Sequence, residues 1–193
     1  MASLVLTGDT SGQVTIAAPA VAGTNTLTLP ALTGTVLTTA TSGVVLQVVN
    51  TMNGAVATTT TVIPEDNTIP QNTEGAEFMS LSITPTSASS KLFIQVVCNL
   101  SPGSSAQTVI AALFQDSTAN ALAAVAQGLP DAADPTPLAF NHYMTAGTTS
   151  STTFKVRGGK PAGANPVTFN GITSGRLFGG VMASSITIWE IAA

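Results

Sequence analysis

Residues able to do chemistry are few in this chain and widely spread. The only histidine is His142 and the only cysteine is Cys98. Gly8-Asp9-Thr10-Ser11-Gly12 sets a carboxylate and a serine between glycines. A serine nucleophile also needs a histidine oriented by a carboxylate. His142 falls in a strand-like run far along the chain, so the Gly8–Gly12 segment is read as a solvated turn. His142 and Cys98 fall short of the four-ligand set of a zinc site. Three copies of His142 meeting on a symmetry axis would supply three imidazoles, but a hydrogen-bonded strand histidine beside Tyr143 is the simpler reading.

The carboxylates occur as Glu65-Asp66, Glu74 with Glu77, and Asp131 with Asp134. The Asp131-Ala132-Ala133-Asp134 loop lacks the dense alternation of Asp and Asn that a calcium loop uses. Nothing places two carboxylates across a cleft, as glycoside hydrolysis requires. Basic residues number five: Lys91, Lys155, Arg157, Lys160 and Arg176. Lys155 to Lys160 includes Gly158-Gly159 but not the spacing of a phosphate loop. No aromatics interleave with bases, as in a nucleic-acid groove. Phe140, His142, Tyr143 and Trp189 could stack on a sugar; for Trp189, packing at the edge of a core is the favoured reading. No catalytic, metal or cofactor residue is assigned, and the chain is read as non-enzymatic.

Composition points the same way. Hydrophobic residues make up 44% of the 193 residues, but charged residues only 7%, where about 25% is usual. A disordered chain would be poor in apolar residues too. Ser and Thr hydroxyls satisfy water without charge, and so bland a surface suits a chain that faces other protein. The net charge of −4 gives no attraction to nucleic acid or anionic lipid. One cysteine excludes a disulfide framework within the chain, and Cys98, inside an apolar run, is read as a small buried hydrophobe. Met1-Ala2-Ser3 opens neither a basic region nor a long apolar stretch, so no export signal is expected. No run approaches the ~18 apolar residues of a membrane helix.

Strand signals must position whatever these residues do. β-branched runs alternate and are punctuated by Gly, Pro, Asn and Ser. The expected fold class is all-β, with a short intertwined N-terminal segment at 1–40 and an antiparallel β-sandwich at 44–193, which the resemblance given below makes jelly-roll-like. In the first part, Leu4/Leu6, Val14/Ile16 and Leu27/Leu29 each offer one small apolar face between turns. Burying a Leu or Ile contributes roughly 1.5–3 kcal/mol, against ~1–2 kcal/mol of backbone entropy per ordered residue. Segments this short need partners, and copies of the same chain are the simplest ones. These six residues are the candidate trimer interface. In the second part, strands are expected near 44–49, 55–62, 78–84, 91–100, 109–115, 122–126, 138–146, 151–157, 167–169 and 180–190. The alanine-rich 119–126 stretch is compatible with a helix, but its flanks favour a strand.

Two stretches carry a resemblance. Leu6-Thr7-Gly8-Asp9-Thr10-Ser11-Gly12 followed by Ala17 to Pro30 resembles a recurrent segment of tailed-bacteriophage tail fibres and related virion appendages. Ser90 to Ile94, Tyr143 to Gly147, Phe154 to Arg157 and Ile186 to Ile191 are similar to the C-terminal heads of such proteins, which are trimeric jelly rolls. The resemblance implies a short homotrimeric tail fibre or spike that contributes to host attachment, with a capsid decoration or head-fibre protein as the alternative. It implies other virion proteins of tail, baseplate or capsid as partners, a host-surface glycan as receptor, no nucleic acid, no membrane insertion, and assembly in the bacterial cytoplasm. Asp131, Asp134, His142, Tyr143 and Lys160 are the residues expected to face a receptor.

Overall fold

Alternating β-branched residues between turn formers dictate extended chain, and the computed structural model of the protein is built of strands. The structure describes residues 3–7, 10–17, 21, 24, 42–103, 107–131 and 134–193. The chain divides into two compact units, Met1–Val36 and Leu37–Ala193.

In the first unit, β1 (Ser3–Thr7) and β2 (Gln13–Ala17) form an antiparallel hairpin. Gly12, at φ +80°, takes the left-handed conformation its turn requires. Of the candidate interface residues, Leu27 and Leu29 lie outside the described residues, as does the side chain of Leu4.

The second unit contains β3 (Val45–Asn53), β4 (Ala57–Thr59), β5 (Ala76–Ile83), β6 (Lys91–Ser101), β7 (Gln107–Gln115), β8 (Ala123–Leu129) and β9 (Thr136–Thr145). It continues with β10 (Thr152–Gly159), β11 (Val167–Phe169), β12 (Gly171–Ile172), β13 (Gly175–Arg176) and β14 (Ser184–Ile191). Eight of these are the strands of two packed sheets. One sheet runs β3-β14-β6-β9, with β11 and β4 continuing beside the end of β6, and the other runs β5-β10-β7-β8. Counted along the chain, the eight strands lie in the orders 1-8-3-6 and 2-7-4-5. Every pairing between them is antiparallel. That order is the double Greek key of a jelly roll, so the expected fold class stands for this unit.

Strict alternation fills the core. Leu92, Ile94, Val96, Cys98 and Leu100 of β6, with Ile186 and Ile188 of β14, point inward and are buried. Val109, Ala111 and Leu113 of β7 and Phe154 and Val156 of β10 meet them from the other sheet. Each such aliphatic burial contributes roughly 1.5–3 kcal/mol. Phe78 and Phe169 stack with centroids 4.6 Å apart and close one end.

Three elements differ from expectation. The strand expected at 55–62 shrinks to β4, because its one strand partner, β11, is itself three residues long. The chain then leaves the sheet and lies across the outer face of the other one. Ile63 N–H donates to Lys160 O, and Ala121 N–H donates to Pro70 O, so this loop spans from the end of β10 to the β7–β8 turn. The strand expected from Gly180 begins instead at Ser184, because Gly179 and Gly180 adopt positive φ in a 3-10 turn, Phe178–Gly180. The strand expected at 151–157 does not stop there, because β10 runs on through Gly158 and Gly159. A Cβ on Gly158 would meet the Phe78 ring at 2.8 Å, and one on Gly159 would meet Thr61 O at 2.8 Å. The glycines let neighbours close in on the sheet. The 122–126 segment is strand, inside β8.

Candidate functional site

The N-terminal hairpin pairs Leu4 with Ile16 and Leu6 with Val14. Residues directly opposite in an antiparallel pair share a face and residues two apart on a strand do too, so Leu6, Val14 and Ile16 gather on one side. Leu6, Val14 and Ile16 keep 53%, 63% and 49% of their surface exposed. Val5, on the opposite side, is exposed as well. Val5 falls between the alternate positions, yet Leu4-Val5-Leu6 is a continuous apolar run. Such a run signals a strand meant to be covered on both faces.

The five residues expected to face a receptor do not gather. Asp131 is exposed and Asp134 half-buried, in the loop between β8 and β9, where Asp134 N–H donates to Asp131 O at 3.3 Å. Tyr143 lies seven residues beyond the start of β9, roughly 24 Å away at ~3.4 Å per residue. His142 and Tyr143 sit next to each other on that strand, and neighbours on a strand point to opposite faces. Tyr143 is exposed on the outer face, while His142 pairs with buried Ile94 and turns inward. Burial lowers the His142 pKa, so the imidazole is neutral at pH 7.

Lys160 is a correction. It is fully buried, not outward-facing, and donates its Nζ to Asn165 O. Desolvation lowers its pKa, because a charged ammonium is disfavoured away from water. Asn165 O comes from the loop that follows β10, so the long side chain anchors that loop from below.

The other polar residues serve the fold. Burial pushes the Cys98 thiol up to about 12, leaving no thiolate for reaction. Arg157 donates Nε to Glu74 O and Nη2 to Gly75 O, both at 2.7 Å, and with Lys155 lies 3.9 Å from Glu77. Arg157 thus holds the end of the loop that crosses the sheet, and the Glu77 pairings tie β10 to β5. Glu190 is fully buried. Its Oε1 accepts Thr86 N–H at 2.8 Å and Thr86 Oγ1–H at 2.7 Å, and its Oε2 accepts Gln47 Nε2–H at 2.6 Å. Burial by itself would raise its pKa, but the hydrogen bonds from Gln47 and Thr86 outweigh it and hold the carboxyl below its ordinary value. A cleft of about 390 Å³ beside it is lined by Thr86, Ser87, Ser89 and Ser90 with Leu46 and Ala192. It offers hydroxyls, because the Glu190 carboxylate is already taken up by its own loop.

Among the described residues, no three His, Cys, Asp or Glu side chains gather as a metal site would need. Among them, too, no helix is long and apolar enough to cross a membrane.

The outer face of the β3-β14-β6-β9 sheet is the surface that sequence reasoning missed. One row across it reads Val48, Trp189, Phe93, Tyr143. Phe93 and Trp189 lie 5.4 Å apart, and Val48, Met52 and Tyr143 are exposed. Trp189 belongs to this outer row, separated by the sheet from Phe140 and His142. Lys91 alone brings a charge to this face, and its Nζ donates to Thr145 Oγ1 at 2.7 Å. The signal was present in Lys91–Leu100, where Phe93 and Val97 are apolar at the positions that should be polar.

No protein-family model matches the sequence, and no curated protein matches it. Among solved structures, the chain is similar to the EclA C-terminal domain, described as a sugar-binding protein, at 15% identity and TM-score 0.37 over 75% of this chain and 86% of that one. It is also similar to the structure of infectious bursal disease virus, Gx strain, at 15% identity and TM-score 0.40, covering 94% of this chain and 43% of that one. The VP2 subviral particle of the same virus gives 13% identity and TM-score 0.36 over 76% of this chain. The chain spans less than half the length of those viral chains. The jelly roll rests on the strand order of the chain itself and not on likenesses this distant.

Proposed function

We propose that this chain is a non-enzymatic structural subunit of a bacteriophage particle, a short homotrimeric spike or fibre that contributes to host-surface attachment. The observation that carries the reading is the N-terminal hairpin. Its apolar residues Val5, Leu6, Val14 and Ile16 stay about half exposed within one chain. Two five-residue strands have no core of their own, and an isolated two-stranded hairpin is marginal in water. Three hairpins wound about one axis cover one another's faces and close the strand edges. The jelly-roll unit buries a full core and presents loops, so attachment works through avidity: three weak sites on one stalk bind together. The receptor is a host-surface glycan, met by exposed groups such as Tyr143 and Asp131. The particle assembles in the bacterial cytoplasm, and the hairpin unit docks on other virion proteins.

Light scattering on the purified chain should give the mass of three chains. Leu6→Asp with Val14→Asp would place six carboxylates in a small apolar volume, where desolvation and like charge both oppose ionisation. This variant should lose trimer mass and particle incorporation while its circular dichroism keeps the strand signal. A wild-type chain that stays monomeric at micromolar concentration overturns the trimer. Purified protein that cleaves a glycan overturns the non-enzymatic reading. Imaging of intact particles locates the subunit: density at the tail supports attachment, and copies over the shell would make it a capsid decoration protein instead.

A further inference from the structure

The segment between β11 and β14 carries an apolar tip that no described residue of its own chain covers. Phe178 and Val181 keep 74% and 84% of their surface exposed. Phe178 holds φ +47°, and Thr173 and Ser174 hold +43° and +65°, conformations that side-chain-bearing residues rarely adopt. The tip is nevertheless built firmly. Gly171–Ile172 pairs with Gly175–Arg176, Ser174 N–H donates to Thr168 Oγ1 at 3.0 Å, and the Gly180 backbone presses on Gly54 just beyond the end of β3. Strained, rigid and exposed apolar groups are features found at binding surfaces. Arg176 lies beside the tip, exposed, and pairs with no carboxylate among the described residues.

A matching groove lies between the loop that crosses the second sheet and β8. It measures about 240 Å³ and is floored by Ile63, Ile110, Ala124 and Ala126. Glu65 and Asp66 rim it. Asp66 is exposed and its pKa is lowered, chiefly by the hydrogen bonds from Thr68, so it is charged at neutral pH. Glu65 makes no ion pair among the described residues. Groove and tip therefore match in both terms, apolar floor to apolar tip and acidic rim to arginine. The tip is fastened beyond the end of β3 at Gly54 and on β11 at Thr168, whereas the groove lies beside β8 of the other sheet. No residue of the tip lines the groove, and Phe178 and Val181 stay exposed, so one chain does not fill its own groove.

We infer that Phe178, Val181 and Arg176 of one copy seat in the Glu65/Asp66-rimmed groove of the next, closing three jelly-roll units into a ring. A contact between two different patches on identical chains is head-to-tail, and head-to-tail contacts close into rings when the rotation allows. This inference rests on the trimer proposed above.

Disulfide trapping in the full chain tests it. Phe178→Cys and Ala126→Cys in one chain should, under mild oxidation, give covalent dimers and trimers on a denaturing gel. Either substitution by itself should give neither. Arg176→Glu in that background should lower the cross-linked fraction about tenfold, because like charges then face each other. Adding Glu65→Arg should restore it. A protein with the mass of three chains that gives no cross-link overturns the tip-in-groove contact and leaves the trimer intact. A protein with the mass of one chain overturns the trimer itself. Cross-linking that ignores the charge reversal overturns the role of Arg176 and Glu65.

Discussion

The two outer faces of the jelly roll are treated in opposite ways. On the β5-β10-β7-β8 sheet, Ile110, Ala112 and Phe114 point away from the core and are nevertheless buried, under a loop that also buries Ile63. On the β3-β14-β6-β9 sheet, Val48, Met52 and Tyr143 point outward and stay open. Both faces carry a row of apolar residues, although the covered one also holds Lys155, Arg157 and Glu77. The difference is a crossing segment, pinned by Arg157 at one end and by the hydrogen bonds of Pro70 and Asn72 to the β7–β8 turn at the other. A sheet face thus becomes part of the interior when a loop is fastened over it, whatever its strands would prefer by themselves.

Substitutions can break or sharpen that contrast. The largest effect should come from Phe114→Ala, which empties the space under the loop and should cost about 3–5 kcal/mol in urea unfolding. A loss below about 1 kcal/mol would mean that the loop does not pack on the sheet. Arg157→Ala removes the charged donor to Glu74 O and Gly75 O and should cost about 1.5–3 kcal/mol, with faster amide exchange confined to the crossing loop. Next comes Gly158→Ala, whose Cβ would push on the Phe78 ring at 2.8 Å; overpacking of this kind costs about 1–3 kcal/mol. On the open face, Met52→Ser should change unfolding by no more than about 0.5 kcal/mol. A larger loss at the lowest chain concentrations would show that the face is covered after all.

Glu190 makes a different contrast, a loop tied by charge and not by apolar cover. Its folded pKa lies below the ordinary carboxylate value of 4.5. The unfolded chain therefore binds the proton first as pH falls. The stabilisation is complete above the unfolded pKa, and it is lost as pH drops through the lower folded one. Acid titration of unfolding should show this loss in the wild type, and Glu190→Gln should remove that part of the pH dependence. An unchanged acid profile in the variant would mean that another carboxylate governs it.

Much of the architecture could be read from residue order. Alternation in Lys91–Leu100 and Ile186–Glu190 marks strands, Pro85 and Asp116 mark turns, and the flanks of the alanine-rich 119–126 segment argue for strand. Period two is a local property, so single-chain pattern reading recovers it. Misreadings arose where the third dimension decides. Lys160 looks like a surface base, but the loop that follows β10 folds over it. His142 and Tyr143 look like one patch, but the pleat sends them to opposite sides.

The sequence by itself determined the all-β class, the scarcity of charge, the poverty of catalytic groups and the alternating apolar residues of β1 and β2. Those follow from composition and from side-chain direction along a strand, which are fixed by covalent geometry. Only the tertiary structure decided the order in which the strands pair, which outer face the 60–75 loop covers, and that Phe178 stays open while the Glu65 groove lies beside β8. These depend on contacts between residues far apart in the chain, whose energies no local pattern contains.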